Sequence, residues 1–502
     1  MALLFRSDHE NLELYSLGKQ RTLLCFVLFG IVFLSFTGEI VDYNEGLGWD
    51  GVVYYGIVKD FGTLFKNQGI DSYHMTRILP FMLNHYILVL LNIEITIQSA
   101  LICAKVLNSL FLALLVYYFL KISDRLKWNR YTELIAFSFC FLNFPVLKNL
   151  GYYPMSSDCP ALLLSYMGLY YYICRNNWGM SCVAFLSLLT WPITCVIIFI
   201  LALFPRDKVI VSGPSIVSKC IKLLFVLFIP VCYFTPIALI KLGYPEFDVY
   251  MYTRYPKNNV LFYCAIVGTM IFYAISTKLV DVNWLQIFRS LFSKSYLQKI
   301  VLFLLLFVIL FKGISNLGGE GAPLSVLNLF RKMIRYPTSD VLIFLETPFL
   351  YLGLFFLLII LLWGKIVDHV REKYGIGYFF VLLLALLFLM NIETRMLTSF
   401  YPIMLIPLMD VMQKMRLKTP IVYTIPVICL ICSFFWFPIN TQGIGTAFNG
   451  SPSSYMDFPA QRYFMFFGPW QSHQVYLIVS FVEIIIGIII VLLWKKGFLV
   501  NR

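Results

Sequence analysis

Residues 97–119 read IQSALICAKVLNSLFLALLVYYF and are followed at 121–130 by the basic segment KISDRLKWNR. The first stretch carries one charged residue, Lys105, and is long enough for a helix to cross the hydrocarbon core of a bilayer. Similar runs recur along the 502 residues, of which 60% are hydrophobic and 13% charged. Because lipid satisfies no backbone hydrogen bonds, these runs predict an all-α, polytopic transmembrane helical protein and exclude a soluble domain.

The apolar runs predict about 12 to 14 spans in a single transmembrane domain that covers residues 1–502. Segment 181–204 is interrupted by Trp191-Pro192, and we expect a broken helix that enters the membrane and returns. The other predicted spans are 23–38, 97–119, 131–147, 160–174, 223–240, 260–277, 300–312, 341–363, 376–390, 396–410, 420–438 and 474–494.

The basic residues predict the orientation, because cytoplasmic loops carry an excess of Lys and Arg. Basic segments at 121–130, 414–418 and 495–496 place both termini in the cytoplasm. The main extracytoplasmic loops are then 39–96, 313–340 and 439–473.

The net charge of +13 is concentrated at the ends of the apolar runs. It therefore reflects topology, and we expect membrane lipids as partners and no nucleic acid. The expected location is a bacterial cytoplasmic membrane with the first loop outside, or alternatively the endoplasmic reticulum membrane with that loop in the lumen. Among the 12 cysteines Cys429 and Cys432 are spaced C-x-x-C, but they lie within an apolar run and no second Cys or His pair accompanies them, so no metal or other cofactor is assigned, although a divalent ion stays possible.

The first outer loop concentrates polar residues in an otherwise apolar chain. Residues 39–80 read EIVDYNEGLGWDGVVYYGIVKDFGTLFKNQGIDSYHMTRILP. The apolar stretch that follows, 80–91, is too short to cross a bilayer and is expected to lie at the interface. Charge at this density beside a membrane indicates chemistry rather than anchoring.

Two motifs point to a family. GWDGVVYYGIVKDF at 48–61, followed by YHMTRILP at 73–80, resembles the first loop of the C-type (GT-C) glycosyltransferases. ETRML at 393–397, followed by Tyr401-Pro402, resembles a late outer turn in the same enzymes. The resemblance implies a polytopic enzyme that transfers a sugar from a polyprenyl-phosphate donor to an extracytoplasmic acceptor, either a lipid-linked glycan or a cell-surface polysaccharide.

Inverting transfer needs a carboxylate that accepts the proton of the acceptor hydroxyl. Asp50 is the first candidate, because it occupies the Asp of the W-D-G motif between Gly48 and Gly51. A turn residue in a glycine-rich loop is the alternative.

Three other acids are further catalytic candidates. Asp42 and Glu45 would share one face of a helical turn, where they could bind a metal or an acceptor hydroxyl, or could be ordinary solvated charges. Asp158 precedes Pro160 at the predicted start of a span, where capping the helix is the alternative to a catalytic or acceptor-binding role.

Guanidinium groups offer two parallel donors to phosphate oxygens, which makes arginines the candidates for binding the donor phosphate. Arg77 and Arg395 are the main candidates, with pairing to a nearby carboxylate such as Glu393 as the alternative. Arg331 and Arg335 lie in an outer loop, where an amphipathic helix would bring them to lipid phosphates.

A transporter or flippase of lipid-linked saccharides is the alternative function. Such proteins place ionisable residues inside their spans. Here the ionisable residues predicted inside spans, Lys105, Glu346 and Glu483, are scattered, whereas acids concentrate in an outer loop. This distribution favours the enzyme.

Overall fold

The computed structural model describes the following residues: 2–41, 44–48, 50–204, 206, 216–224, 227, 242–243, 278, 280–292, 294–319, 343–389, 394–415, 417–433, 435–436 and 473–496. Within them every regular element is a helix, and an isolated β-bridge joins Asp71 to Gly319. The predicted all-α class is therefore confirmed for the described part of the chain.

The α-helices of the first half include the three short helices of the polar loop and the two halves of the broken segment. Their bounds are Ala2–Thr37, Gly51–Lys59, Phe61–Lys66, Ser72–Met75, Leu79–Leu90, Ile97–Leu126, Arg130–Phe141, Leu150–Tyr152, Asp158–Ile173, Asn177–Leu188 and Pro192–Leu203.

The α-helices of the second half are Trp284–Leu291, Lys294–Asn316, Ile343–Leu352, Leu354–Lys373, Gly375–Leu389, Tyr401–Met415, Thr419–Cys432 and His473–Lys495. Short 3-10 helices form at Asn44–Gly46 and Thr394–Phe400, and a π-helical turn forms at Pro145–Asn149.

Three helical segments among the described residues are long and apolar enough to cross a membrane, namely Gly18–Thr37, Ile97–Leu126 and Thr394–Met415. The number rises to five if each of two bent helix pairs counts as one span. Six further apolar helical segments have 10–17 residues, namely Leu79–Leu90, Asn177–Leu188, Pro192–Leu203, Ile300–Asn316, Gly375–Leu389 and Thr419–Cys432. The predicted spans 223–240 and 260–277 lie largely or wholly outside the described residues. Membrane-spanning helices are thus present by length and composition, while the predicted total stays a prediction.

Two predicted spans are bent in the structure. The segment predicted as one span at 341–363 breaks at Gly353, whose φ of 62° is left-handed, and the axis turns by 119°. The segment predicted at 131–147 ends its first helix at Phe141 and bends by 51°. Asn143 stabilises the second bend, because its side chain accepts from the Val146 amide at 3.1 Å and donates to the Phe139 carbonyl at 2.7 Å.

The predicted break at Trp191-Pro192 is present. Helices Asn177–Leu188 and Pro192–Leu203 pack against each other as a hairpin, and Trp191 between them has an extended backbone. The amide of Trp191 still donates to the carbonyl of Ser187 at 2.7 Å, which holds the turn tightly. The hairpin therefore presents Trp191 at its apex.

Several helix termini contact one another through polar side chains on one side of the helical assembly. Arg21 contacts Glu133 at 2.6 Å and Asp124 at 2.7 Å, and Trp128 donates to Asp410 at 3.2 Å. The segment 121–130 and the end of helix Tyr401–Met415 thus lie on the same side, as the basic-residue pattern predicts. Which side of a membrane this is stays a prediction.

Candidate functional site

The W-D-G segment is held against Tyr153. Gly48 has a φ of +72°, and a Cβ atom there would lie 2.4 Å from the Tyr153 ring. The Tyr153 hydroxyl also accepts a hydrogen bond from the Gly51 amide at 3.1 Å. Gly48 thus permits a close approach that a side chain would prevent.

Asp50 occupies the position before helix Gly51–Lys59 without using its side chain as a cap. Its side chain is 30% exposed, so its carboxylate is accessible from the polar loop. The carboxylate is thus partly exposed and does not cap the helix, and its role as a base rather than a turn residue stays a prediction.

Arg77 is buried between two aromatic rings. Its guanidinium carbon lies 3.9 Å from the centre of the Tyr73 ring and 4.3 Å from that of Trp191. Arg77 also donates a hydrogen bond to the Tyr73 hydroxyl. Burial alone would lower the pKa of Arg77, but the neighbouring Tyr54 and Tyr73 outweigh it and the pKa is raised. A permanent cation is therefore fixed inside the protein.

Backbone contacts connect this polar loop to the hairpin. The amide of Leu79 donates to the carbonyl of Leu189 at 2.9 Å, directly beside the hairpin apex. Tyr54, which neighbours Arg77, stacks on Phe81 with ring centres 3.8 Å apart. These contacts fix the position of Arg77 relative to Trp191.

Arg395 reaches the same place from the late part of the chain. It lies in the 3-10 helix Thr394–Phe400, whose Ser399 carbonyl accepts from Ser165 at 2.5 Å. The Ser399 hydroxyl lies 2.7 Å from that of Thr194, in the second hairpin helix. The guanidinium carbon of Arg395 is 5.9 Å from the Trp191 ring centre. Arg395 is buried. The sequence had indicated an outer turn at this position and did not predict the burial.

The two arginines share one carboxylate. Oδ2 of Asp50 lies 4.0 Å from Nη1 of Arg77 and 3.6 Å from Nη2 of Arg395. Both distances exceed a normal hydrogen bond, so the contact is electrostatic. We call Asp50, Arg77, Arg395 and Trp191 the outer cluster, after the predicted side of the first loop.

Asp158 is the second acid that the structure brings to this place. It interacts electrostatically with Arg395, Arg77 and Asp50, and burial raises its pKa. The residue before it, Ser157, is the cap position of helix Asp158–Ile173, so the alternative that Asp158 caps this helix is wrong.

Glu45 is the remaining predicted residue that the structure describes, and it does not join the outer cluster. Glu45 has a left-handed φ of 55°, so it does not continue the regular helical turn that would pair it with Asp42. Within the described residues Glu45 is exposed and forms no ion pair. Asp42, Arg331 and Arg335 lie outside the described residues, as does Glu393.

Metal binding receives no support from the part of the chain that the structure describes. No group of three or more His, Cys, Asp or Glu side chains there could hold a metal ion. His74 instead pairs with Asp71, with 2.5 Å between Nδ1 and Oδ2.

Sequence reasoning missed the aromatic components of the site. Tyr73 and Trp191 surround Arg77, and Tyr153 anchors the W-D-G segment. The one sequence feature that pointed to any of these aromatic residues was Trp191-Pro192 at the centre of the broken helix. It indicated a turn that lines a cavity, but it did not indicate that Trp191 would contact Arg77.

The arrangement combines a partly exposed carboxylate, Asp50, with two buried guanidiniums and the buried carboxylate of Asp158. Such a site can accept a proton at Asp50 and bind an anion at the arginines. Comparison with family models, with curated proteins and with solved structures finds no match to this chain.

Proposed function

We propose that the protein is a membrane glycosyltransferase that moves a sugar from a polyprenyl-phosphate donor to an extracytoplasmic acceptor with inversion. The single observation that carries the proposal is the placement of Oδ2 of Asp50 3.6 Å from Arg395 and 4.0 Å from Arg77. This puts a candidate base beside two groups that can bind a phosphate leaving group.

In this mechanism Asp50 accepts the proton of the acceptor hydroxyl as its oxygen attacks the anomeric carbon of the donor sugar. A new carbon–oxygen bond forms on one face while the bond to the phosphate oxygen breaks on the other. The electron pair leaves with the phosphate, whose growing negative charge Arg77 and Arg395 stabilise. Attack from the face opposite the leaving group inverts the anomeric centre.

A lipid-linked donor agrees with two features of the chain. The sequence contains no glycine-rich nucleotide-binding loop. Arg395 begins Thr394–Met415, one of the helices long enough to span a membrane, which is a suitable depth for a lipid phosphate. Polyprenyl phosphate presents such a group at the edge of the hydrocarbon layer.

The decisive experiment supplies purified protein with an acceptor extract and either a polyprenyl-phosphate sugar or the matching nucleotide sugar. We expect transfer from the lipid-linked donor only. Efficient use of the nucleotide sugar alone would refute the lipid donor. Movement of the lipid-linked saccharide across vesicles without any glycosidic product would favour the flippase instead.

The proposal also places the outer cluster outside the cytoplasm. Single cysteines introduced at Thr63, in the polar loop, and at Lys127, at the opposite end, can be labelled with a membrane-impermeant thiol reagent. The cysteine at position 63 should react in intact cells and that at position 127 only after permeabilisation. The reverse pattern would remove extracytoplasmic acceptors from consideration.

A further inference from the structure

Asp158 is a buried carboxylate that the protein satisfies only weakly, through the side chain of Asn149. The residue is 6% exposed, and neither Oδ1 nor Oδ2 accepts a hydrogen bond of normal geometry from a described residue. Buried polar atoms in native proteins are nearly always hydrogen-bonded, so two unsatisfied oxygens on one side chain require an explanation. A ligand with hydroxyl donors supplies one.

Two neighbouring groups show the same feature. Nε1 of Trp191 and Oδ1 of Asn149 are buried without a hydrogen-bond partner in the described structure. Asn149 lies beside the carboxylate of Asp158, while the Trp191 ring packs under Arg77. Unsatisfied donors and acceptors are thus grouped around the arginines, on the buried side of the outer cluster.

The position of Asp158 relative to Asp50 separates their tasks. The Asp50 side chain is 30% exposed and can meet an incoming acceptor, whereas Asp158 is enclosed. Both carboxylates interact with the same two arginines. A group bonded to a phosphate at those arginines would therefore lie within reach of Asp158.

We propose that Asp158 binds two adjacent hydroxyl groups of the donor sugar and so selects which sugar is transferred. This inference rests on the proposed glycosyltransferase function. Two carboxylate oxygens without a well-formed hydrogen bond match a pair of neighbouring hydroxyl donors, which Asp158 would accept in parallel. A site built to accept hydroxyl donors discriminates strongly against analogues that lack them, because its buried oxygens are then left unpaired.

The test compares the wild type with Asp158→Asn on a set of polyprenyl-phosphate sugars that each lack one hydroxyl. Removing a hydroxyl that Asp158 binds should lower kcat/KM of the wild type about 10- to 100-fold. Asp158→Asn should lower kcat/KM for the complete sugar about tenfold or more. In this variant the ratio of kcat/KM between the complete and the deoxy donor should be much smaller than in the wild type. Asp124→Asn, at the opposite end, is the matched control and should discriminate like the wild type.

A second measurement separates sugar recognition from general damage to the site. Sugar-free polyprenyl phosphate should bind Asp158→Asn as well as the wild type or more tightly, because the variant removes a negative charge near the arginines. Loss of that binding would overturn the assignment of Asp158. So would an Asp158→Asn variant that discriminates against the deoxy donor as strongly as an active wild type. Either result would leave the proposed glycosyltransferase function standing. If the wild type transfers no sugar from any lipid donor, the proposed function fails and this inference with it.

Discussion

The guanidinium of Arg77 lies 4.3 Å from the centre of the Trp191 ring, so the hairpin apex supports a cation of the first polar loop. A cation over a desolvated indole gains about 2 kcal/mol. The contact joins two parts of the sequence that no local pattern connects. It also makes Trp191 a positioning residue for the outer cluster.

Trp191→Leu should weaken the binding of polyprenyl phosphate roughly tenfold, because Arg77 loses the aromatic face that orients it. Trp191→Phe should weaken it less, since an aromatic face remains. Trp178→Leu is the matched control, because Trp178 lies on the first helix of the same hairpin and is 78% exposed. Titration with the lipid measures all three, and equal affinities for Trp191→Leu and wild type would contradict the assignment.

Asp50→Asn should reduce transfer by about 10² to 10⁴-fold, because the amide keeps the shape but cannot accept the hydroxyl proton. Initial rates with the lipid-linked donor measure this effect. Asp60→Asn is the control, since Asp60 caps helix Phe61–Lys66 in the same loop and Asn is an equally good cap. Activity of Asp50→Asn within a few-fold of Asp60→Asn would remove Asp50 from the role of base.

Arg395→Lys should lower kcat more than it raises the KM for acceptor, because the charge remains but the two-donor fork to phosphate is lost. Arg130→Lys provides the comparison. Arg130 is an exposed arginine at the other end of the protein, where it packs on the ring of Tyr131 and donates to its hydroxyl. Steady-state kinetics with varied acceptor separates the two parameters. Normal kinetics for both Arg395→Lys and Arg395→Ala would exclude Arg395 from donor binding.

Asp71 gives the polar loop a pH-dependent stability. Burial alone would raise its pKa, but hydrogen bonds from the His74 amide and ring and from the Tyr73 amide outweigh it and lower the pKa. The stabilisation is therefore complete above the unfolded value of about 4 and is lost as pH falls through the lowered folded value.

Asp71→Asn should accordingly reduce Tm at pH 7, and its difference from the wild type should shrink as pH falls from about 5 to 3. Thermal unfolding across this range measures the difference. A gap that widens on acidification would contradict the sign of the shift.

At the opposite end, buried Asp410 accepts from Tyr374 at 2.6 Å and from Trp128 at 3.2 Å, and pairs with His369 and Lys373. Asp410→Asn should cost about 2 kcal/mol or more, because these donors lose their shared anion.

The matched control for Asp410 is Asp281→Asn, whose exposed ion pair with Lys222 at 3.8 Å should contribute less than about 1 kcal/mol. Unfolding in detergent compares the two variants. Equal losses would show that burial adds nothing to the Asp410 contacts.

The sequence predicted the all-α class and the residues of the outer cluster that are charged. Asp50 and Arg77 stood out because charge is rare in an apolar chain and because both lie in the first-loop motif at 48–80. It did not predict that Arg77 would pack on Trp191, since stacking depends on how a distant hairpin is placed. The bend at Gly353 was missed as well, because a single left-handed residue leaves no mark on hydropathy.

The order of the cluster residues along the chain has a consequence for biogenesis. A ribosome delivers Asp50, Arg77, Asp158 and Trp191 to the membrane well before Arg395. Until the helix that begins near Arg395 is inserted, the nascent protein holds both acids opposite a single guanidinium. Assembly of the site is thus completed late, and a chain truncated before residue 394 would keep the acids without their second counter-ion.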